Sequence, residues 1–398
     1  MKVALLIPEL IKEGGGERQC VYLAKELQEL GHEAVIYTLE YVKDKCFPDI
    51  CSNLDVRVTG RSVFTRSGLP VPYGRIKEFF DMIHMAREIK GEFDILNPHA
   101  YPPHWAAVRL KRRIGVPAVW MCNDPLVSFS ENDSLFKRFR RFVTFRYERR
   151  VMSDLVQVTV LSQKVKEIMY QDYQIEALVV RSGVDLSKFS QQNKPLKDGI
   201  RERYGISKDA FLLLYVCIPL PHRRMEDLIA ALSRLVSKGR HVKLLHVGLL
   251  TYDLTYSNYI LSLVKSSRLQ NTLILAGSVA EAKLPYYYDA CDAFVFPNED
   301  QTWSLAVTEA MACQKPVIVS TGAGVHEVLK DYQTALLIPP RRPDLIAAKV
   351  EELIDNPELR VRIAKQGYDF VHQNLSWKRY AESMVNVFEE VLKQENSR

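Results

Sequence analysis

The chain has 398 residues, 47% of them hydrophobic and 26% charged, with a formal net charge of +6. That length predicts roughly two or three domains, and the composition excludes a disordered chain. No run approaches the length of a membrane-spanning helix, and seven cysteines with no Cys-x-x-Cys pair predict free thiols in a reducing compartment and no structural metal.

The first half reads as alternating strand and helix. Val3 to Pro8 is an apolar run of strand length. It is too short for the core of a signal peptide, and no small-residue cleavage site follows it, so it is expected to be a buried strand. Gly14, Gly15 and Gly16 form a predicted flexible loop. From Glu17 the apolar positions Cys20, Leu23, Ala24, Leu27 and Leu30 recur at helical spacing, and Gly31 follows as a stop. The glycines let a ligand approach the backbone, and a helix start favours an anion; a plain flexible turn explains the same residues equally well. Further predicted strands are 34–37, 94–97, 117–121, 156–160 and 178–180. Such alternation implies a mainly parallel sheet covered on both faces.

Residues 101–150 hold eleven Lys/Arg against four Asp/Glu, so the basic excess is concentrated there. Within that segment Phe136, Lys137, Arg138, Phe139, Arg140, Arg141 and Phe142 begin a stretch in which phenylalanines recur every three residues. On a helix this traces an aromatic face flanked by cations. It suits an anionic membrane interface, and equally a core-packing face with a solvated basic flank. No nucleic-acid motif accompanies the charge, so no nucleic acid is expected.

The polar stretch Ser190 to Gly199 is the expected linker near a domain boundary. The alternation then restarts, with predicted strands at 211–216, 242–247, 273–277, 293–297 and 316–320 and an amphipathic helix from Met225 to Val236. Gly248 ends the second of these strands. The fold class expected is α/β: two doubly wound Rossmann-like domains facing a cleft, with ligands at the carboxyl ends of the strands and between the domains.

Residues 297–318 carry the densest signal. A strand ends at Pro297, a polar loop follows, and a helix is expected near Trp303 with Thr302 as N-cap. Glu309 then lies roughly 9 Å along that helix at about 1.5 Å per residue. A loop polar group and a helix carboxylate so spaced suit the two ends of an elongated ligand, with the helix N-terminus facing an anionic middle. A solvated glutamate on a helix face is the plainer alternative.

This stretch resembles the Glu-x7-Glu signature of glycosyltransferase family 4, including its Glu-Ala-Met-Ala and Lys-Pro-Val-Ile portions. Other segments match in order: Gly14-Gly15-Gly16-Glu17-Arg18 the acceptor-side glycine loop, Asp94 to His99 a strand end, Ser182-Gly183-Val184-Asp185 with Phe189 the crossover, Gly322 to Val328 the following glycine turn, and Ser376-Trp377 the segment returning to the first domain. The resemblance implies a GT-B fold. It implies an N-terminal acceptor-side domain over 1–185 with a return helix over 376–398, and a donor-binding domain over 186–375.

It further implies a retaining hexosyltransferase that moves sugar from a UDP- or GDP-linked donor to a lipid-linked or glycan acceptor. The nucleotide-sugar is a co-substrate; no cofactor and no metal are expected. The expected location is cytoplasmic, peripheral on a membrane where the basic stretch meets anionic lipid. By position, Glu309 corresponds to the ribose-binding glutamate and Arg223 to the diphosphate-binding lysine, with Arg224 beside it. Gln301, Thr302, Trp303, Ser304, Leu305 and Gly248 complete the donor set. Gly14, Gly15 and Gly16 would line the diphosphate and acceptor side. Gln301 stands where the family has its first signature glutamate, and Asn123-Asp124 where it has His-Asp. Catalytic candidates are therefore Gln301, Arg223, Asn123 and His99. For His99 and the nearby His104 a packing role is the favoured alternative. Because of these departures a non-catalytic nucleotide-sugar-binding subunit, and an epimerase of nucleotide sugars, remain as alternatives.

Overall fold

The computed structural model describes residues 1–62, 74–123, 145–189 and 194–397. The chain divides into two compact units: Met1–Gly183 with Trp377–Arg398, and Val184–Ser376. The division precedes the polar stretch beginning at Ser190, and from Lys194 that stretch is helical (Lys194–Arg203) rather than a linker.

The first unit contains β1 (Lys2–Leu10), β2 (Glu33–Tyr41), β3 (Asp55–Val58), β4 (Ile95–Pro98), β5 (Val119–Cys122), β6 (Gln157–Val160) and β7 (Ala177–Val179). The order β3-β2-β1-β4 is parallel throughout, as is β5-β6-β7. Parallel bridges Leu96↔Ala118 and His99↔Met121 carry the sheet from β4 to β5. Val3 to Ile7 are all buried, as expected of a parallel strand covered on both faces. The first helix spans Gly15–Glu29, so Gly15 and Gly16 belong to its first turn rather than to a loop, and Gly14 is its N-cap. It buries Cys20, Leu23, Ala24 and Leu27, and ends where Gly31 takes φ +83°. Trp377, opening the last helix (Trp377–Asn396), stacks on Tyr22 of the first helix at 5.0 Å between ring centroids.

The second unit contains β8 (Phe211–Val216), β9 (Val242–Val247), β10 (Leu273–Gly277), β11 (Ala293–Phe296), β12 (Val317–Ser320) and β13 (Leu336–Ile338). Its order is β10-β9-β8-β11-β12-β13, again parallel. Counted within the unit this is 3-2-1-4-5-6, a doubly wound sheet whose winding reverses between β8 and β11. In the first unit the reversal lies between β1 and β4. Loops leaving the two strands at a reversal diverge to opposite faces and leave a crevice at their carboxyl ends.

All seven cysteines are buried free thiols. No helix among the described residues is long and apolar enough to cross a membrane.

Candidate functional site

The reversal between β8 and β11 brings two of the expected site segments together. After β8 the chain makes a short 3-10 turn, Pro221–Arg223, and Arg224 adopts φ 55° before the helix Met225–Ser237. After β11 it runs through Pro297 to Ser304. The Glu299 N–H donates to the His222 carbonyl at 2.8 Å. The Tyr215 hydroxyl donates to the Arg223 carbonyl at 2.6 Å and lies 3.1 Å from Oδ1 of Asn298. A third loop, following β12, is joined to these. The Gln301 N–H donates to the Gly322 carbonyl at 3.3 Å, and the Gln301 carbonyl accepts from the Gly324 N–H at 2.8 Å. Arg223 and Gln301 thus belong to one hydrogen-bonded cluster of loops at the carboxyl edge of the sheet.

The two arginines of this cluster differ in their partners. Arg224 is bound by both carboxylate oxygens of Asp227 at 3.0 Å and by Glu226 at 2.7 Å, so its charge is compensated locally. Arg223 has no carboxylate partner among the described residues; its Nη1 reaches the Ile218 carbonyl at 3.3 Å and its Nε has no hydrogen-bond acceptor. Of the two arginines, Arg223 is the one without a carboxylate beside it among the described residues. Glu299 is likewise occupied, by Arg341 Nε at 2.7 Å.

The signature helix spans Leu305–Ala312, with Ser304 as N-cap. The expected start near Trp303, capped by Thr302, is therefore two residues too early. Trp303 is buried and the backbone at Gln301 is bonded to the 322–324 loop, which keeps the chain extended through Ser304. Glu309 accordingly lies about 6 Å into the helix. The Ser304 hydroxyl makes no cap bond and is buried without a partner, beside N–H groups of the first turn that have no intrahelical acceptor. Trp303 Nε1 and Asn298 Nδ2 are also buried and unpartnered, while Thr302 and Leu305 are half-buried. Glu309 is buried, not solvated: it is 3% exposed, and its Oε2 accepts from the Tyr288 hydroxyl at 2.7 Å. Gly248 sits where a Cβ would overlap the Cys217 carbonyl oxygen, so no side chain fits there. His246 bonds the same carbonyl at 2.9 Å, and burial lowers its pKa to about 4.

In the first unit, the glycine turn and the end of β5 meet. A Cβ on Gly16 would lie 3.3 Å from Asn123 Nδ2, and Asn123 Oδ1 is buried without a partner. Glu17 folds back over Gly14, and burial pushes its carboxyl above the usual range. His99 is fully enclosed. Its Nε2 lies 2.8 Å from Asn97 Oδ1, and Asn97 Nδ2 donates to the Val119 carbonyl at 2.6 Å. Burial lowers the His99 pKa to about 3, so it is neutral at ordinary pH. His104 Nε2 lies 2.8 Å from Glu148, a fully buried carboxylate that also accepts from Trp105 Nε1 at 3.1 Å and the Tyr101 hydroxyl at 3.0 Å. Phe136 to Phe142, and Asp124, lie outside the described residues.

Tyr288, Tyr215 and Asn298 were not singled out in the sequence. Tyr288 is 21 residues from Glu309 and Tyr215 is 83 from Asn298, and no local pattern marks such partners. Asn298 alone carried a signal, as a polar residue just past a buried strand.

Comparison with known proteins places this geometry. A model of "Glycosyltransferase Family 4" matches residues 13–188, and one of "Glycosyl transferases group 1" matches 197–370. An uncharacterized glycosyltransferase of Methanocaldococcus jannaschii is 22% identical over 98% of both chains. A D-inositol 3-phosphate glycosyltransferase of Thermomonospora curvata is 24% identical over 94% of this chain and 90% of its own. Among solved structures, Anabaena HepE in complex with UDP and glucose superposes with a TM-score of 0.78 at 18% identity, covering 98% of this chain and 99% of that one. With one family model on each half and a doubly wound parallel sheet in each unit, the chain belongs to the GT-B glycosyltransferases of the group 1 and family 4 type.

Proposed function

We propose that this glycosyltransferase transfers a hexosyl group from a UDP- or GDP-linked sugar to a lipid-linked or glycan acceptor, with retention of configuration and without a metal ion. The observation that carries the donor assignment is Arg223, without a carboxylate partner among the described residues, on a turn bonded to the loop that leads into Leu305–Ala312 and its unpartnered Ser304 hydroxyl. A diphosphate fits those groups: the guanidinium takes phosphate oxygens and the helix start adds N–H donors. Anabaena HepE, of the same fold, was solved with UDP-glucose. The family resemblance carries retention.

In this reading Glu309 holds the ribose, oriented by Tyr288, and Gln301 hydrogen-bonds the sugar as an uncharged amide. Arg223 and the helix N-terminus stabilise the leaving diphosphate. The first unit takes the acceptor, with Asn123 and Gly14, Gly15 and Gly16 beside its hydroxyl. His99, enclosed and neutral, positions the loop rather than moving a proton. The protein works on the cytoplasmic face of a membrane, at an anionic surface.

The test is release of nucleoside diphosphate from a panel of UDP- and GDP-sugars. One donor is expected to be turned over. Arg223→Ala should lower release by about a hundredfold, the scale of losing one charge-stabilising group, while Gln301→Glu changes it far less. Full activity of Arg223→Ala would remove the assignment. Tight donor binding without release would favour a non-catalytic subunit, the reading that Gln301 and Asn123 support as uncharged replacements of the family's ionisable groups.

A further inference from the structure

In the second unit the helix Leu254–Ser266 and the loop before it turn large apolar side chains to solvent. Leu249, Tyr252, Leu254, Tyr259 and Leu261 are 42% to 62% exposed. The inward face of the helix is supplied by Tyr256, Ile260 and Val264, and the Tyr256 hydroxyl accepts from the Met225 N–H at 3.2 Å, tying it to the helix Met225–Ser237. A surface helix with its apolar stripe already buried is expected to be polar on the other side. The loop is held against the helix: the Ser257 hydroxyl donates to the Leu250 carbonyl at 2.5 Å, and Asp253 caps the helix by accepting from the Tyr256 N–H at 3.0 Å.

Residues 249–264 contain one charged residue, Asp253, which is the cap. Leu254, Asn258 and Leu261 stand at i, i+4 and i+7, so they form one exposed stripe, with Thr255, Tyr259 and Ser262 exposed beside it. Five large side chains, each about half exposed, offer roughly 400–500 Å², more than half of the about 800 Å² that each partner gives to a standard interface. A helix lying on a membrane carries Lys or Arg along its polar flank; here Thr255, Asn258 and Ser262 hold those places, and the first cation is Lys265. A charged partner finds no counter-charge. A second copy of the chain meets leucines, tyrosines and an amide that match its own. The net charge of +6, which sets copies apart elsewhere, is missing from this face. Crossing the two helices antiparallel at Asn258 sets Leu254 of one copy against Leu261 of the other. The two amides, each donor and acceptor, then face one another.

We propose that this face is the contact of a two-fold symmetric dimer of the chain, with Asn258 at the axis. The dimer goes beyond the sugar-transfer reading and does not depend on it. Leu249 directly follows Gly248 of the proposed donor set, so the contact borders that site.

Analytical ultracentrifugation of the full chain at micromolar concentration tests it. The wild type should sediment with twice the mass of one chain. The double variant Leu254→Glu/Leu261→Glu changes only exposed side chains and sets carboxylates of the two copies against each other. It should sediment as a monomer, with its dissociation constant raised about a hundredfold or more. Asn258→Cys should form a covalent dimer with oxidised glutathione, because a pair at the axis lies within disulfide reach. Gln270→Cys, exposed beyond the helix, should not, and the seven native thiols are buried. An unchanged far-ultraviolet dichroism spectrum and melting transition report an intact fold in each variant. A monomeric wild type would overturn the proposal, as would a dimer that survives the double glutamate variant. Cross-linking no faster at Asn258→Cys than at Gln270→Cys would overturn it as well. A monomer that pellets with phosphatidylcholine vesicles, and ceases to in the double variant, would give this face to a membrane instead and overturn the dimer. None of these readouts involves donor turnover, so failure here leaves the transferase reading standing, and absence of turnover leaves the dimer.

Discussion

His99 and His246 are held neutral by burial, and this couples stability to pH. Unfolded histidine titrates near 6.5, whereas in the folded chain these two titrate at about 3 and about 4. Between those values the unfolded chain binds more protons. Stability from both is complete above about pH 6.5 and falls as pH drops toward 4, by up to about 1.4 kcal/mol per pH unit for each. Urea unfolding at pH 7 and pH 5 should show this loss, with a shallower slope in His99→Gln. Equal slopes would mean that folded His99 takes up a proton in this range. At this scale the sequence was informative about residue type and uninformative about state. The favoured alternative for His99, a packing role, concerns a group whose surroundings come from distant strands. That Arg224 rather than Arg223 pairs with carboxylates was invisible, because Glu226 and Asp227 follow both arginines and only the αL turn at Arg224 aims one of them at the carboxylates.

Among the elements, the helix over 145–152 carries one fully buried carboxylate. Glu148 accepts from Tyr101, His104 and Trp105, joining that helix to the start of His104–Ile114. Glu148→Ala would leave those donors buried without an acceptor, and should cost about 3–5 kcal/mol in chemical denaturation. A loss below about 1 kcal/mol would show that the helices are held by their apolar contacts alone. Element existence was legible from run length and periodicity: the strands expected in each half are present, as is the helix from Met225. Ends were less legible. Ser, Thr and Asn are all good caps, so propensity does not choose between Thr302 and Ser304; the anchoring of Gln301 to the next loop does. The helix at Lys194–Arg203 was missed because its Lys-Pro-Leu-Lys-Asp-Gly start has the composition of a linker.

For the molecule as a whole, the donor assignment predicts where protection appears. Binding of nucleoside diphosphate should stabilise the native chain, by about 2.7 kcal/mol at a hundredfold excess over Kd. In hydrogen exchange the slowed amides should fall in 218–224 and 297–305, the loops at the reversal between β8 and β11. Protection restricted to Met1–Gly183 would move the nucleotide to the other unit. Run length, hydrophobic period and the order of the glycine and acidic motifs were enough to determine two α/β halves and their family, because burial on both faces of a parallel strand is a local property of its side chains. Strand order, the loops it gathers at each reversal, the enclosure of Glu309 and Glu148, and the exposure of one face of Leu254–Ser266 were decided only by the tertiary structure. Each depends on contacts between residues tens of positions apart, and pairing at that range leaves no periodic trace in the chain.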